Sequence, residues 1–170
     1  MGAHINGRDI RDVLDSIRRI VSALRLFDRE AEARAGISGA QLFVLRQLDG
    51  AGGISVNELA DRTHTHQSSV SVVVDKLVHR NLVNRQPSRR DRRSVELSLS
   101  PRGKQLLRSA PAAAQERLIA ALDEFPRRRR RQLAGLLLDL IQKTGIEGHK
   151  PALFFEDKHP RQRRNRGKAQ

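Results

Sequence analysis

The sequence predicts a mainly helical protein with one small two-stranded hairpin, and three observations support that fold class. Apolar residues recur at intervals of three and four along most of the chain, as they do on one face of an amphipathic helix. A strict alternation of apolar and polar residues from Val95 to Ser100 is typical of a strand. The length of 170 residues suits one domain with its own core, or one domain with an elaborated interface.

Two amphipathic helices are predicted in the first part of the chain. The first runs from about Ile10 to Ala35, and Gly36 ends it. Ser38 is expected to cap the second helix, and the stretch DGAGG, from Asp49 to Gly53, is expected to form a turn. The apolar residues that define these helices are Ile10, Val13, Leu14, Ile17, Ile20, Val21, Leu24 and Phe27 in the first, and Leu42, Phe43, Leu45 and Leu48 in the second.

A short third helix, a longer fourth helix and two strands follow. The third helix opens with Ser55-Val56-Asn57-Glu58, a predicted capping box in which hydroxyl and carboxylate satisfy reciprocal backbone donors. The fourth helix is predicted from about Gln67 to His79, and the strands are Leu82 to Gln86 and the alternating stretch from Val95 to Leu99. The residues expected to face the core from the fourth helix are Val70, Val73, Val74 and Leu77.

The chain ends in two further predicted helices and a basic segment. Ser100-Pro101 is the predicted N-cap and first residue of one long fifth helix, which Pro111 should kink. Pro126 opens a sixth helix that Gly145 ends, and residues 146–170 are polar and basic, which predicts disorder. The inward residues are Leu106, Leu107, Ala110, Ala114, Leu118, Ala121 and Leu122 in the fifth helix, and Leu133, Leu136, Leu137, Leu140 and Ile141 in the sixth.

The composition indicates a polyanionic partner. The chain carries 33 Lys and Arg against 19 Asp and Glu, a formal charge of +14, and such an excess is typical of nucleic-acid binding, although a basic membrane-surface protein remains possible. Aromatic residues make up only 3%, so stacking platforms for single strands are lacking and duplex DNA is favoured. Because cysteine is absent and no apolar run approaches a membrane span, we expect a cytoplasmic protein.

A helix, a turn, a second helix and a basic hairpin, in that order, form a winged helix-turn-helix, in which the second helix enters the major groove of DNA. The face of the fourth helix opposite its apolar stripe is small and mostly polar. Gln67 can pair with an adenine edge, serines can meet bases or phosphates, and Val72 can contact a thymine methyl. An ordinary solvated helix face is the alternative. The candidate contacts here are Thr65, Gln67, Ser68, Ser69, Ser71, Val72 and Lys76.

Four arginines, Arg89, Arg90, Arg92 and Arg93, crowd around Asp91 at the tip of the hairpin. Guanidinium groups so close together repel one another and sample many rotamers. A carboxylate among them can hold one in a fixed rotamer through a bidentate pair. We therefore expect Asp91 to orient an arginine, while a merely solvated basic loop is the alternative.

The stretch SVNELADRTHTHQSSVSVVVDKLVHRNLVNRQPSRRDRRSVELSLSPRGKQLL, which begins at Ser55, resembles the core of the MarR family of bacterial transcription regulators. Its most specific motif is Asp91-Arg92-Arg93 followed by the alternating strand and Ser-Pro-Arg-Gly. Where the family usually has glycine before Leu-Val, this chain has Asn81, which tolerates a left-handed conformation better than most residues. The likeness extends over roughly residues 9–144.

The resemblance implies a homodimer in which residues 9–36 and 101–145 form a helical dimerisation region and residues 37–100 form the DNA-binding lobe. It implies that Asp91 supports the wing, that Arg92 or Arg93 enters the minor groove, and that Arg89 and Arg90 contact phosphates. The DNA site would be pseudo-palindromic. It further implies a small, often aromatic effector between the lobe and the dimerisation helices, near Leu24, Phe27 and Phe43. The protein would be a repressor whose repression this effector relieves.

Three other interpretations compete with this one. A non-specific architectural DNA-binding protein would fit the charge and the tail equally well. A zinc site at His64-Thr65-His66 is disfavoured because residues two apart on a helix diverge and further ligands are absent. Catalysis is disfavoured because no phosphate-binding glycine loop or nucleophile elbow occurs, and no cofactor is expected. The run Arg127 to Arg131 is either a solvated face or a contact to an acidic partner.

Overall fold

A computed structural model of the chain describes residues 7–88, 95–145 and 153–154. These residues form a mainly helical protein with a two-stranded antiparallel sheet, which confirms the predicted fold class. The wing tip and most of the C-terminal segment lie outside the described residues. The elements are α1 (Gly7–Ala35), α2 (Gly39–Leu48), α3 (Val56–Arg62), α4 (Gln67–His79), β1 (Val83–Pro87), β2 (Val95–Leu99), α5 (Pro101–Ser109), α6 (Ala114–Asp123) and α7 (Arg127–Thr144).

The junction between α1 and α2 forms as the sequence predicts. Gly36 takes a left-handed conformation, with φ of 63°, and ends α1. Ser38 caps α2 in a full capping box, because its hydroxyl accepts from the Gln41 N–H and the Gln41 side chain accepts from the Ser38 N–H. In α3 only the serine half of the predicted box forms: Ser55 accepts from the Glu58 N–H, whereas the Glu58 carboxylate pairs with Arg62 at 3.0 Å.

The core is centred on α2, which packs against α1, α3, α4, α5, α6 and β2. Phe43, Val44 and Leu45 have no exposed surface, so this helix is buried on several faces at once. The predicted inward residues of α4, namely Val70, Val73, Val74 and Leu77, are all buried against it. Burial at this density makes α2 the element on which the others are assembled.

The wing is a two-stranded hairpin that is also bonded to the segment before α3. β1 and β2 pair in the register Val83 with Leu99 to Pro87 with Val95, so the first strand lies one residue later than predicted. Ile54, which precedes α3, forms an isolated antiparallel bridge with Leu97 through two backbone hydrogen bonds of 3.0 and 2.7 Å. Leu97 and Leu99 are buried, whereas Val95 is 40% exposed because it lies nearer the hairpin tip.

The connection from α4 to the wing depends on two residues at the end of the helix. Asn81 adopts φ of 58°, which confirms the left-handed conformation expected at this position. Arg80 donates to the Gly36 carbonyl at 2.7 Å and to the Gln41 side chain at 3.2 Å. The end of α4 is thereby tied to the capping box that starts α2.

The prediction of one long, kinked fifth helix is wrong, since α5 ends at Ser109 and α6 begins at Ala114. Pro111 has no N–H to continue the helical ladder, and its ring disfavours a helical conformation at the preceding residue. Ala110 accordingly has ψ of 144°, an extended conformation. The proline therefore breaks the helix rather than bending it.

Arg46 of α2 closes the gap left at this break. Its Nη2 atom donates to the Ala110 carbonyl at 3.1 Å and to the Pro111 carbonyl at 2.6 Å. Glu116 faces the same guanidinium, with 3.7 Å between Nε and the carboxylate, a distance that gives attraction without a hydrogen bond. Glu116 also accepts from the Ala113 N–H, so it helps to start α6. The break is thus held by specific polar contacts.

The remaining helical surfaces are largely uncovered in the single chain. α7 contains no buried residue, and the stripe of Leu136, Leu137, Leu140 and Ile141 is 41–60% exposed. In the first half of α1, the residues from Ile10 to Val21 that form its stripe are 37–53% exposed. At the start of α7, Arg130 forms an ion pair with Asp123 at 2.6 Å, and the rest of Arg127 to Arg131 is exposed. The division into domains stays a prediction.

Within the predicted tail, the structure describes Leu153 and Phe154, and the disorder of the tail stays a prediction. Leu153 is only 3% exposed and belongs to the main core cluster. The polar, basic composition of the whole segment does not reveal that one of its apolar residues is buried. Across residues 7–88, 95–145 and 153–154, none of the helices has both the length and the hydropathy to span a membrane.

Among the described glycines, Gly103 of α5 leaves the least room for a side chain, and its replacement by alanine should destabilise the protein. An added Cβ would lie 2.2 Å from the Leu82 carbonyl oxygen, which belongs to the base of the wing. We expect Gly103→Ala to lower the free energy of unfolding by ~1–3 kcal/mol through overpacking, measured by chemical denaturation.

Gly135→Ala is the matched control for that experiment. Gly135 lies in α7 with nothing within 4 Å of its added Cβ, so alanine there should stabilise the helix by up to ~1 kcal/mol. Equal effects of the two substitutions would contradict the close approach of α5 to the wing.

Candidate nucleic-acid interface

The helix predicted to read DNA, α4, is held by one face and exposed on the other. Its apolar face is buried against α2 and α3. Gln67, Ser68, Val72 and Asp75 are exposed on the rest of its surface, and Val72 alone among the valines of this helix is 46% exposed. The arrangement leaves α4 with a mostly polar outer face.

The candidate contacts differ in how far they are exposed. Gln67, Ser68 and Val72 are exposed, whereas Thr65, Ser69, Ser71 and Lys76 are half-buried. The Ser71 hydroxyl donates to the Gln67 carbonyl at 2.9 Å, so it would have to exchange that bond for one to DNA. The role of each of these residues in DNA contact stays a prediction.

The turn between α3 and α4 is fixed from the inside. Thr63 is fully buried, and its hydroxyl donates to the carbonyls of Leu59 and Ala60. His64 takes φ of 51°, which reverses the chain. His66 occupies the N-cap of α4 and makes no side-chain capping bond. The described parts of the chain hold no cluster of three or more side chains suited to a metal ion.

An ion pair that the sequence analysis missed joins the reading helix to the wing. Arg85 of β1 donates to the Asp75 carboxylate of α4 at 2.7 Å. Both side chains are substantially exposed, at 40% and 64%, so the pair contributes only ~0–1 kcal/mol to stability. It connects α4 to β1 and favours the orientation of helix and strand that the packing of the core already sets. The signal in the sequence was an acidic residue on an otherwise uncharged exposed face.

The hairpin is closed just below its tip. Ser88 is buried and donates to the Glu96 carboxylate at 2.5 Å, which ties the residue after β1 to β2 next to the last pair, Pro87 and Val95. The five residues predicted to contact DNA from the wing, Arg89, Arg90, Asp91, Arg92 and Arg93, lie outside the described residues. The structure therefore defines the base from which the tip projects.

The three predicted effector residues differ in burial. Phe43 is fully buried, and Leu24 is nearly so. Phe27 is half-buried, and the Arg117 guanidinium of α6 lies over its ring at 4.7 Å, a cation–π contact. A small cleft is lined instead by Asp28, Gly39, Ala114, Gln115 and Phe154.

Comparison with known proteins assigns the family. The sequence model of the MarR family matches residues 35–94. An HTH-type transcriptional regulator of Mycobacterium leprae, ML2140, is 31% identical over 142 residues, which cover 78% of this chain and 99% of that protein. This chain belongs to the MarR family.

Further relatives agree with that assignment. The transcriptional repressor MdtR of Bacillus subtilis is 33% identical over 92 residues, or 54% of this chain, and the match spans only 59% of MdtR. A probable transcriptional regulator from Pseudomonas aeruginosa is 28% identical in its crystal structure, with a TM-score of 0.52 and coverage of 78% of this chain and 99% of that one. The relatives are transcription regulators, not enzymes.

The fold also matches a family member bound to DNA. A mutant of MarR from E. coli, complexed with operator DNA, superimposes with a TM-score of 0.51 over 76% of this chain and 96% of that one, at 21% identity. At this identity the likeness concerns the fold. Together these findings make the protein a DNA-binding transcription regulator of the MarR family with a winged helix.

Asp75→Asn should weaken operator binding although it removes a negative charge from a DNA-facing surface. The substitution frees Arg85 and loosens the angle between α4 and the wing, and we expect a loss of affinity for the operator of up to about fivefold. Fluorescence anisotropy with operator and random duplexes, at one fixed salt concentration, measures both affinities.

Asp61→Asn is the control, because Asp61 is an exposed residue of α3 whose side chain forms no ion pair among the described residues. It removes the same charge without touching the wing, so it should tighten both duplexes slightly. Identical behaviour of the two variants would show that the ion pair does not position the wing.

Proposed function

We propose that the protein is a homodimeric repressor that binds pseudo-palindromic duplex DNA and releases it when a small effector binds, in the bacterial cytoplasm. The observation that carries the proposal is the coupling of an exposed polar helix, α4, to an anchored basic hairpin through Asp75 and Arg85. A helix and a hairpin held in one relative orientation support recognition of a specific DNA sequence. Positive charge alone gives only non-specific affinity for DNA. The repressor named MdtR offers a precedent among the relatives.

The roles of individual residues follow from this arrangement. Gln67, Ser68 and Val72 are proposed to contact base edges, because they are exposed on the outer face of α4. Thr65, Ser69, Ser71 and Lys76 are proposed to contact phosphates or bases at the margins of that face. At the wing, Arg92 or Arg93 would enter the minor groove, Asp91 would orient it, and Arg89 and Arg90 would contact phosphates.

The uncovered apolar surfaces support a dimer. α7 is exposed on all sides and the first half of α1 is exposed, so both stripes face water in the single chain. Exposed apolar stripes of this extent are characteristic of interfaces rather than of monomer surfaces. Two chains that cover them would bury ~2,000 Å² or more, as obligate dimers do.

An effector site at the junction of lobe and helical region would connect ligand binding to the spacing of the two reading helices. Leu24, Phe27 and Phe43 lie in or beside that junction and are the proposed apolar lining. A small aromatic ligand that displaced Arg117 from Phe27 would change the packing of α6 on α1. The two lobes of a dimer would then separate, and the half-sites would no longer be matched.

Leu137→Glu should dissociate the dimer because it places a charge in the proposed apolar interface. We expect a dimer for the unaltered protein and a monomer for the variant at micromolar concentration, measured by sedimentation velocity. Gln142→Glu introduces the same charge on the opposite side of α7 and should remain dimeric. A monomeric unaltered protein would remove the basis for the two-fold site.

Insertion of half a helical turn, ~5 bp, between the operator half-sites should weaken binding by at least about a hundredfold, because one lobe then loses its groove. Insertion of a full helical turn is the control, since both half-sites then again present their major grooves on the same side of the duplex. Footprinting upstream of the protein's own gene supplies the operator for the assay. Indifference to both insertions would favour a non-specific architectural DNA-binding protein.

A further inference from the structure

A short piece of the C-terminal segment is packed into the protein, although the helix before it is not. Leu153 is 3% exposed and belongs to the same core cluster as Ala31, Ile37 and Ala113. α7, which precedes it, has no buried residue. Chain continuity therefore does not force Leu153 inside, and its burial reflects an attraction between this residue and the groove it occupies.

The groove lies where the two predicted regions of the protein meet. Phe154 borders the cleft lined by Asp28 of α1, Gly39 of α2, and Ala114 and Gln115 of α6. Asp28 itself accepts from the Gly39 N–H at 2.6 Å, so it already joins α1 to the start of α2. The segment is thus in contact with both the lobe and the helices outside it.

The cleft adjoins two connections of the backbone, since Gly39 follows the α1–α2 connection and Ala114 follows the α5–α6 break. The α1–α2 connection turns through Gly36, and the α5–α6 break is extended at Ala110 and is held across to α2 by Arg46. Apolar side chains that bridge such breaks oppose relative movement of the elements on either side.

We propose that Leu153 and Phe154 form an intramolecular strap that locks the DNA-binding lobe to α1 and α6. The strap is part of the same chain as the groove that it occupies, so the contact is intramolecular. Release of the strap would loosen the lobe without unfolding it.

One polar atom beside the groove lacks a hydrogen bond to the described part of the chain when the strap is in place. The Oε1 atom of Gln115 is buried and has no hydrogen-bond partner among the described residues. A buried acceptor without a donor opposes closure, so the strap is held less firmly than apolar burial alone would hold it. That balance suits a contact that opens and closes.

Phe154→Ala in the full chain tests the strap without emptying the core, because Phe154 is 49% exposed. We expect amide hydrogen exchange at residues 36–39 and 110–114 to become about tenfold faster or more, whereas exchange in α4 stays unchanged. Leu153→Ala should in addition lower the melting temperature by roughly 5 °C or more. Phe125→Ala is the matched control, since Phe125 is 42% exposed and lies outside the core cluster.

A cross-link provides the positive test, because the chain has no cysteine of its own. Oxidation of the double variant Phe154→Cys, Ala114→Cys should join the two residues within one chain and slow exchange at both breaks, and reduction should reverse this. Unchanged exchange in the Phe154→Ala and Leu153→Ala variants, or a cross-link that joins only separate chains, would overturn the strap. These measurements need no DNA, so they stand or fall separately from the proposed function.

Discussion

The burial of α2 is the constraint on which the rest of the structure depends. This helix packs against α1, α3, α4, α5, α6 and β2, and its central residues Phe43 to Leu45 have no exposed surface. Because protein interiors are close-packed, an element that touches so many others fixes their mutual angles. The face that α4 turns outward and the direction in which the wing projects are both consequences of this packing. The exposed ion pair of Asp75 and Arg85 refines an orientation that the core has already set.

The polar contacts around α2 lie at the ends of its neighbours. Arg80 ties the end of α4 to the capping box of Ser38 and Gln41, and Arg46 holds the carbonyls at the break between α5 and α6. Both guanidiniums satisfy acceptors that a terminated helix leaves without partners. Arginine suits this task because one planar group can donate to several oxygens at once. The chain thus uses part of its basic excess to join elements, and the rest is available for a polyanion.

The protein has two exposed surfaces of opposite chemical character. The exposed face of α4 is small and mostly polar, whereas α7 and the first half of α1 expose apolar stripes. The junction between them, with Arg117 over Phe27 and Leu153 in the core, is where a change in one surface would be transmitted to the other.

The sequence by itself determined the elements, because local physics decides them: apolar periodicity marked the helices, Ser38 and Asn81 marked their boundaries, and alternation marked β2. The exposed face of α4 followed from helical geometry once the buried valines were known. Pro111 marked an interruption of the helix, but the sequence did not distinguish a kink from a break, and Arg46 of another element bonds the carbonyls at the break. Only the tertiary structure decided the pairing of Asp75 with Arg85, the bridge from Ile54 to Leu97 and the burial of Leu153. These contacts join residues on separate elements, and their formation depends on packing angles that no local pattern encodes.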